Sequence, residues 1–363
     1  MKILFLNTNI GYGGASKMMA WVANQMALNG EDVVFLTYRD KTELQQLNEK
    51  VDHVHFDLEG IEGRGKGLLH TVRFLHDYIK KNKFDLAVAF LSPSFVRLAL
   101  ACKGTRTKML FSHRGDPYQK ATSFTGRLLN TIIDKAFRSA DYYVFQTEAA
   151  RSYYPQSIRR KGRVIANPIK PLVRTQSRSG NVEKRIVNIA RLDINQKRQD
   201  LLIDAFNKIS GTYPDYVLEL YGDGADERIL NEQASSNKQI HFMGKTSDVV
   251  GVSQNAAISV LSSDFEGIPN SLLESMSLGI PCISTDCSPG GAAMLIRNRE
   301  NGLLVPRGDA DSLAKAMSYM IEHREDAEQM GINGMEVNDK YSEATISKMW
   351  MDYLAFIKSK MPK

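Results

Sequence analysis

The stretch Ala256-Ala257-Ile258-Ser259-Val260-Leu261-Ser262-Ser263-Asp264-Phe265-Glu266-Gly267-Ile268-Pro269-Asn270-Ser271-Leu272-Leu273-Glu274-Ser275-Met276 decides how this chain is read. It opens on a short apolar run of strand length, Gly267 and Pro269 break the chain, and Leu272, Leu273 and Met276 then recur at helical spacing. The expectation is strand, loop, helix, with Glu266 on the loop and Glu274 on the helix. Two carboxylates astride a helix start suit the hydroxyls of a polyhydroxylated ligand. The helix start itself, near Asn270 and Ser271, offers N–H groups and the positive end of the helix dipole, a ready site for phosphate.

Working outward, the same strand-then-helix unit repeats. In the first half, residues 3–7, 33–38, 51–56, 86–91, 108–112 and 142–146 read as strands. Between them, Met19, Val22, Ala23 and Met26 share one helical face, as do Leu68, Val72, Leu75 and Ile79. Pro168, Pro171 and the polar run 174–181 read as a linker. The alternation then restarts, with strands at 185–190, 217–221, 240–243, 256–261, 280–285 and 302–305 and a helix carrying Leu201, Leu202, Ala205, Phe206 and Ile209. This predicts an α/β chain of two Rossmann-like doubly wound domains in series, 1–172 and 182–342, each with a parallel sheet covered on both faces. Ligands of such sheets lie beyond the carboxyl ends of the strands. The last segment, about 343–363, reads as an amphipathic helix that must bury Trp350.

Bulk properties narrow the classes. A chain of 363 residues with 43% hydrophobic residues supports two cores. Cys102, Cys282 and Cys287 form neither a disulfide framework nor a metal spacing, so a reducing, cytoplasmic setting is expected. Only residues 3–6 are apolar before Asn7, too short for a signal peptide, and no run suits a membrane span; the expectation is a soluble or peripheral protein. Charge is uneven: residues 1–180 hold 28 Lys+Arg against 15 Asp+Glu, a net of +13, while the remainder carries −7. A basic first half suits an anionic membrane, a phosphorylated acceptor or nucleic acid, or is a solvated surface.

Five further motifs sit at strand ends, each with a plain structural alternative. The turn Asn7-Thr8-Asn9-Ile10-Gly11-Tyr12-Gly13-Gly14 joins the first strand to the first helix; its glycines admit a ligand to the backbone or merely satisfy backbone angles. A dinucleotide reading of the same turn would use Asp40, but the glycine spacing departs from that fingerprint. Arg191-Leu192-Asp193-Ile194-Asn195-Gln196-Lys197-Arg198 follows the first strand of the second half, placing a fork (Arg191) and a point charge (Lys197) where a diphosphate would lie, with Arg198 toward solvent or the helix. Gly222-Asp223-Gly224 reads as a turn with a capping Asp, lacking a second carboxylate for a metal. His113, in Phe111-Ser112-His113-Arg114-Gly115-Asp116, could meet a ligand hydroxyl and titrate near neutral pH, or be structural. Ser288-Pro289-Gly290-Gly291 reads as a tight connection.

Together these residues resemble the retaining glycosyltransferases of the GT-B fold, glycosyltransferase family 4, of the bacterial surface polysaccharide type. The resemblance is carried by Gly13-Gly14, His113, Asn167-Pro168, Arg191, Lys197, Gly222-Asp223-Gly224 and, most specifically, by the Glu266/Glu274 pair in its Phe-Glu-Gly-Ile-Pro-Asn setting. It implies a cleft between an acceptor-side first domain, rejoined by the terminal helix, and a nucleotide-sugar-binding second domain. It also implies that Glu274 holds the ribose, that Arg191 and Lys197 neutralise the diphosphate, and that Glu266 meets the donor sugar. Gly13, Gly14 and His113 would approach that sugar, Gly244 and Lys245 would seat the base, and the loop and helix start at Gly267, Ile268, Ser271 and Leu272 would line the phosphate.

On this resemblance the chain is a metal-independent hexosyltransferase that retains anomeric configuration and needs no cofactor besides its donor substrate, a nucleotide sugar of the UDP type. Its expected partners are that donor, a glycan or lipid-linked acceptor in polysaccharide or lipopolysaccharide synthesis, and an anionic surface at the inner face of the cell membrane, met by Lys80, Lys81, Lys83, Lys103, Arg106, Lys108, Arg127, Lys135 and Arg138. Nucleic acid is not an expected partner. The competing activity is an NAD(P)-dependent oxidoreductase built on the first Gly-rich turn.

Overall fold

In a computed structural model that describes residues 1–8, 13–38, 47–56, 64–119, 123–169 and 182–361, the strands assemble into two separate sheets, one in each half of the chain. The first contains β1 (Lys2–Asn7), β2 (Asp32–Thr37), β3 (Val51–His55), β4 (Leu86–Ala89), β5 (Lys108–His113), β6 (Tyr142–Phe145) and β7 (Gly162–Val164), in the spatial order β3-β2-β1-β4-β5-β6-β7. Every pairing is parallel, with Ile3 opposite Val33 and Leu86 in the flanking strands. The second contains β8 (Glu183–Ile189), β9 (Val217–Tyr221), β10 (Ile240–Gly244), β11 (Ala256–Leu261), β12 (Cys282–Thr285) and β13 (Leu303–Val305), in the order β10-β9-β8-β11-β12-β13, again all parallel. The two-sheet, strand-alternating-with-helix plan is the one the periodicity predicts. Strand β7 is the addition: three residues, Gly162, Arg163 and Val164, carry too little pattern to be seen alone.

The central strands of both sheets are buried on both faces, which is why they read as near-continuous apolar runs, whereas the edge strands β3 and β10 are partly exposed. Residues Ile3–Leu6 are fully enclosed, as are Leu218 and Leu220. Each such side chain contributes roughly 1.5–3 kcal/mol when removed from water. The first core joins Leu4, Leu36, Leu75, Phe95, Phe111 and Phe145; the second joins Leu202, Phe206, Leu220, Val260, Ile283 and Met317.

The chain divides into two units, Met1–Ala166 with Ile346–Lys363, and Asn167–Thr345. The terminal helix Glu343–Ser359 accounts for the discontinuity. Trp350 is completely buried, stacked on Phe90 with ring centroids 5.9 Å apart, and the Arg114 guanidinium lies over both rings. Tyr353 adds a hydroxyl that donates to the Lys161 carbonyl and accepts from the Tyr143 N–H. Within the second unit, Ile169 and Ser342 form an isolated parallel bridge. The linker read at 174–181 lies outside the described residues.

Candidate active site

In the second sheet the strand order reverses between β8 and β11, neighbours whose following helices leave in opposite directions. Open parallel sheets expose a crevice at that reversal, beyond the strands' carboxyl ends. The loop after β8 carries Arg191 and Lys197; the loop after β11 carries Glu266. The sequence thus delivers its two strongest charge motifs to adjacent strands.

Hydrogen bonds tie those loops together, among them three to backbone carbonyls. Ser262 Oγ donates to the Lys197 carbonyl at 2.8 Å, the Asp264 N–H to the Gln196 carbonyl at 2.8 Å, and Gln196 Nε2 to the Phe265 carbonyl at 3.1 Å. Gln199, fully buried at the start of helix Gln199–Ser210, closes the first loop on itself: its Nε2 donates to the Arg191 carbonyl, and its Oε1 accepts the Asp193 N–H. On this frame Lys197 Nζ donates to Glu266 Oε1, which also accepts from Ser263 Oγ at 2.9 Å. Only 18% of the Lys197 side chain and 10% of the Glu266 side chain are exposed, so the pair is weakly screened.

The Glu266 backbone is fixed independently. Phe265 bridges to Ser288, and the Glu266 N–H donates to the Ser288 carbonyl at 2.7 Å. Behind it, Gly291 comes so close that a Cβ there would sit 1.6 Å from the Gly267 carbonyl oxygen; only glycine fits. The Ser288–Gly291 segment, read as a tight connection, is one, and it braces the Glu266 loop.

Four residues beyond Glu266, helix Asn270–Ser277 begins without a side-chain cap. Leu273 N–H bonds the Pro269 carbonyl, leaving the earlier N–H groups without intrahelical acceptors. Leu272, Leu273 and Met276 pin one face in the core, and Ser275 bonds Ser259 of β11 at 2.9 Å. Glu274 rides half-buried on this helix. Asn167 donates to Asn270 Oδ1 at 3.0 Å, so the Asn-Pro step braces the helix start.

Not every expected side chain reaches outward. Ile268 and Leu272 are core residues, 5% and 2% exposed, so only their backbone can serve a ligand. Arg191 is 60% exposed, and its guanidinium is aimed by Asp193 at 2.7 Å and Gln196 at 3.1 Å. Arg198 faces neither solvent alone nor the helix alone. It takes a left-handed φ of 53° and spans Asp200 and Asp264, both of which push its guanidinium pKa up. Gly244 ends β10, its carbonyl accepting the Gly222 N–H at 2.9 Å, and exposed Lys245 follows it.

Gly13 and Gly14 open helix Gly13–Leu28; residues 9–12 of the Gly-rich turn and Asp40, on which the oxidoreductase reading leaned, lie outside the described residues. His113 ends β5 with Phe137 and Tyr154 edge-on to its ring and no hydrogen-bond partner at Nδ1 among the described residues. Its expected titration near neutral pH is corrected: burial pushes the imidazole down to about 4, against a smaller upward pull from Asp116 and Asp134. The ring is therefore neutral at physiological pH.

Sequence reasoning missed Gln196, Gln199, Ser262 and Ser263, which hold the charged pair rather than form it. Polar residues in loops, and one in the first turn of a helix, carry no periodicity, so no signal marked them. What the site offers chemically is an Arg fork, a lysine and an uncapped helix start for an anion, beside two carboxylates for hydroxyls. Among the described residues no three His, Cys, Asp or Glu side chains converge as for a metal ion.

Comparison with known proteins identifies the family. Residues 12–171 match the family model described as Glycosyltransferase Family 4, and residues 183–323 match Glycosyl transferases group 1. The chain is 26% identical over 361 residues to an uncharacterized glycosyltransferase of Haemophilus influenzae, covering 97% of this chain and 99% of the relative. It is 23% identical over 370 residues to a Campylobacter jejuni enzyme named as an undecaprenol-diphosphate-linked glycan α-1,4-N-acetyl-D-galactosaminyltransferase, covering 99% of each. Among solved structures, Anabaena HepE in complex with UDP and glucose superposes with a TM-score of 0.80 at 20% identity, over 98% of this chain and 100% of that one. These matches do not favour the oxidoreductase. The chain belongs to the family 4 glycosyltransferases of the GT-B fold.

Proposed function

We propose that this glycosyltransferase moves a hexose or N-acetylhexosamine from a UDP-sugar to a lipid-linked saccharide, retaining anomeric configuration and using no metal. The observation that carries the reading is the Lys197–Glu266 pair at the sheet's reversal point, followed four residues later by an uncapped helix start bearing Glu274. In this reading Glu274 accepts from the ribose hydroxyls and Glu266 from a donor-sugar hydroxyl. The diphosphate is met by Lys197, Arg191 and the N–H groups of Asn270, Ser271 and Leu272.

As the glycosidic bond loosens, charge gathers on the leaving diphosphate, and donors already aimed at it lower the barrier, about 3 kcal/mol for each. Two fixed cations supply the neutralisation that a divalent ion supplies in other transferases. The departing phosphate oxygen takes the acceptor's proton on the same face, which gives retention without a protein nucleophile. The donor reading is supported by UDP in the HepE complex, and the acceptor reading by the diphosphate-linked glycan in the Campylobacter enzyme's name.

The test is incubation with a panel of nucleotide sugars, scoring nucleotide release and melting-temperature shift, with product anomer assigned by NMR and chelator added throughout. UDP release, chelator-insensitive and with retained configuration, is expected. Silence across the panel, or an inverted product, contradicts it.

A further inference from the structure

We propose that helix Phe124–Arg138 of the first unit is an interfacial anchor that lays an exposed apolar stripe into the surface of an anionic lipid bilayer. The helix is well formed: Ser123 Oγ caps it by accepting the Gly126 N–H at 3.2 Å, and Lys135 and Arg138 complement its carboxyl end. Its inner face is committed to the core through Ala136 and Phe137, the latter stacked on Tyr154 at 4.9 Å. Its outer face is not. Phe124 is 80% exposed, Leu128 59%, Leu129 55% and Ile132 46%. Helical spacing puts these four on one side, with exposed Arg127 and Arg138 along one edge of the stripe and Lys135 one heptad beyond Leu128 within it, while the only acid of the helix, Asp134, is half-buried. The other exposed large apolar residues of this unit are scattered singly, and need no explanation.

An apolar stripe edged by cations, on a helix too short and too polar to span, is the pattern of an element lying in the headgroup plane. The charge complement selects the occupant. A second copy of this basic unit would bring like charges together, whereas an anionic lipid surface neutralises Arg127, Lys135 and Arg138 while the acyl boundary takes up the apolar side chains. The helix follows β5, so its amino-terminal end, with Phe124 and Leu128, lies toward the carboxyl edge of the sheet, the edge to which His113 also belongs.

The cations expected to form one membrane-facing patch are thereby divided. Lys80, Lys83, Arg106 and Lys108 line a groove of their own with Asp85 and Asp141, and Lys108 is paired with Asp141 at 3.0 Å. That groove carries no exposed apolar stripe. The proposal rests on the lipid-linked acceptor for its purpose; the binding itself is measured without either substrate.

The experiment is co-sedimentation of the full chain with vesicles of phosphatidylglycerol mixed with phosphatidylcholine, and of phosphatidylcholine alone, across a salt series. The wild type binds the anionic vesicles, less so as salt rises. Replacing Phe124, Leu128, Leu129 and Ile132 together by Ser lowers partitioning at least about tenfold. Replacing Arg127, Lys135 and Arg138 by Gln lowers it about fivefold per charge on anionic vesicles alone. Ile229→Ser with Ile332→Ser, exposed in the other unit, changes nothing.

Unchanged partitioning in the apolar variant overturns the proposal. So does a wild type that ignores vesicles but sediments as a dimer which the same variant dissociates. Vesicle binding without consumption of any nucleotide sugar leaves the anchor standing and removes the transferase reading; sugar transfer to a soluble acceptor without vesicle binding does the reverse.

Discussion

Lys197 Nζ and Glu266 Oε1 are joined across two loops that leave adjacent, oppositely continued strands, β8 and β11. Each is the other's charge partner, and Ser263 also donates to Glu266. The pair therefore locks the loops and, in the proposed function, holds a lysine where the diphosphate arrives.

The coupling is measurable as stability. Lys197→Ala strands a carboxylate that is 10% exposed, and Glu266→Ala strands the lysine. Each single change is expected to cost about 2–3 kcal/mol. The double change costs less than the sum, with a coupling of about 1–3 kcal/mol in urea denaturation. Additive losses would show that the pair does not lock the loops.

The two glutamates are expected to separate in binding. Glu274→Gln weakens UDP and UDP-sugar alike, by about tenfold, because the ribose is common to both. Glu266→Gln weakens the UDP-sugar more than UDP, because only the former carries the hexose. Calorimetric titration of the four pairs decides; equal effects of Glu266→Gln on both ligands would remove its assignment to the sugar.

How much of this was legible follows from where periodicity exists. Glu266 and Glu274 could be placed on loop and helix because Val260, Leu272 and Met276 announce the flanking elements. Arg191 and Lys197 could be placed at a strand end for the same reason. What could not be read was support: Gln199 looks like any first-turn glutamine, yet it ties Arg191 to Asp193. Burial was equally silent, since His113 in sequence is a neutral-pH candidate, and only its packing against Phe137 and Tyr154 reveals a depressed pKa.

That depression sets a pH dependence. The folded imidazole titrates near 4 and the unfolded one near its ordinary 6.5, so the unfolded state binds the proton first. Stability is full above pH 6.5 and falls as the pH drops toward 4, by up to about 3 kcal/mol from this residue. His113→Gln should lack that component of the pH–stability curve. Identical acid slopes in the two proteins would show that His113 is not held neutral by burial.

Two glycines near the site are expected to differ. Gly291→Ala forces a methyl group onto the Gly267 carbonyl and must displace the loop that carries Glu266, with loss of stability above about 2 kcal/mol and loss of donor binding. Gly244→Ala meets open space in the protein and suffers its left-handed φ of 70°, about 1–2 kcal/mol, without displacing the loop that carries Glu266. Thermal melts with and without UDP compare them.

The most direct measurement is the rate of sugar transfer by Lys197→Ala, on the nucleotide-sugar donor that the wild type consumes, with the variant shown folded by its circular dichroism. The account predicts a fall of about 10²–10³ in kcat, the loss of one preorganised donor to the leaving diphosphate. Transfer within about twofold of the wild type would contradict it, because the charge at the reversal of the second sheet would then have no part in the reaction.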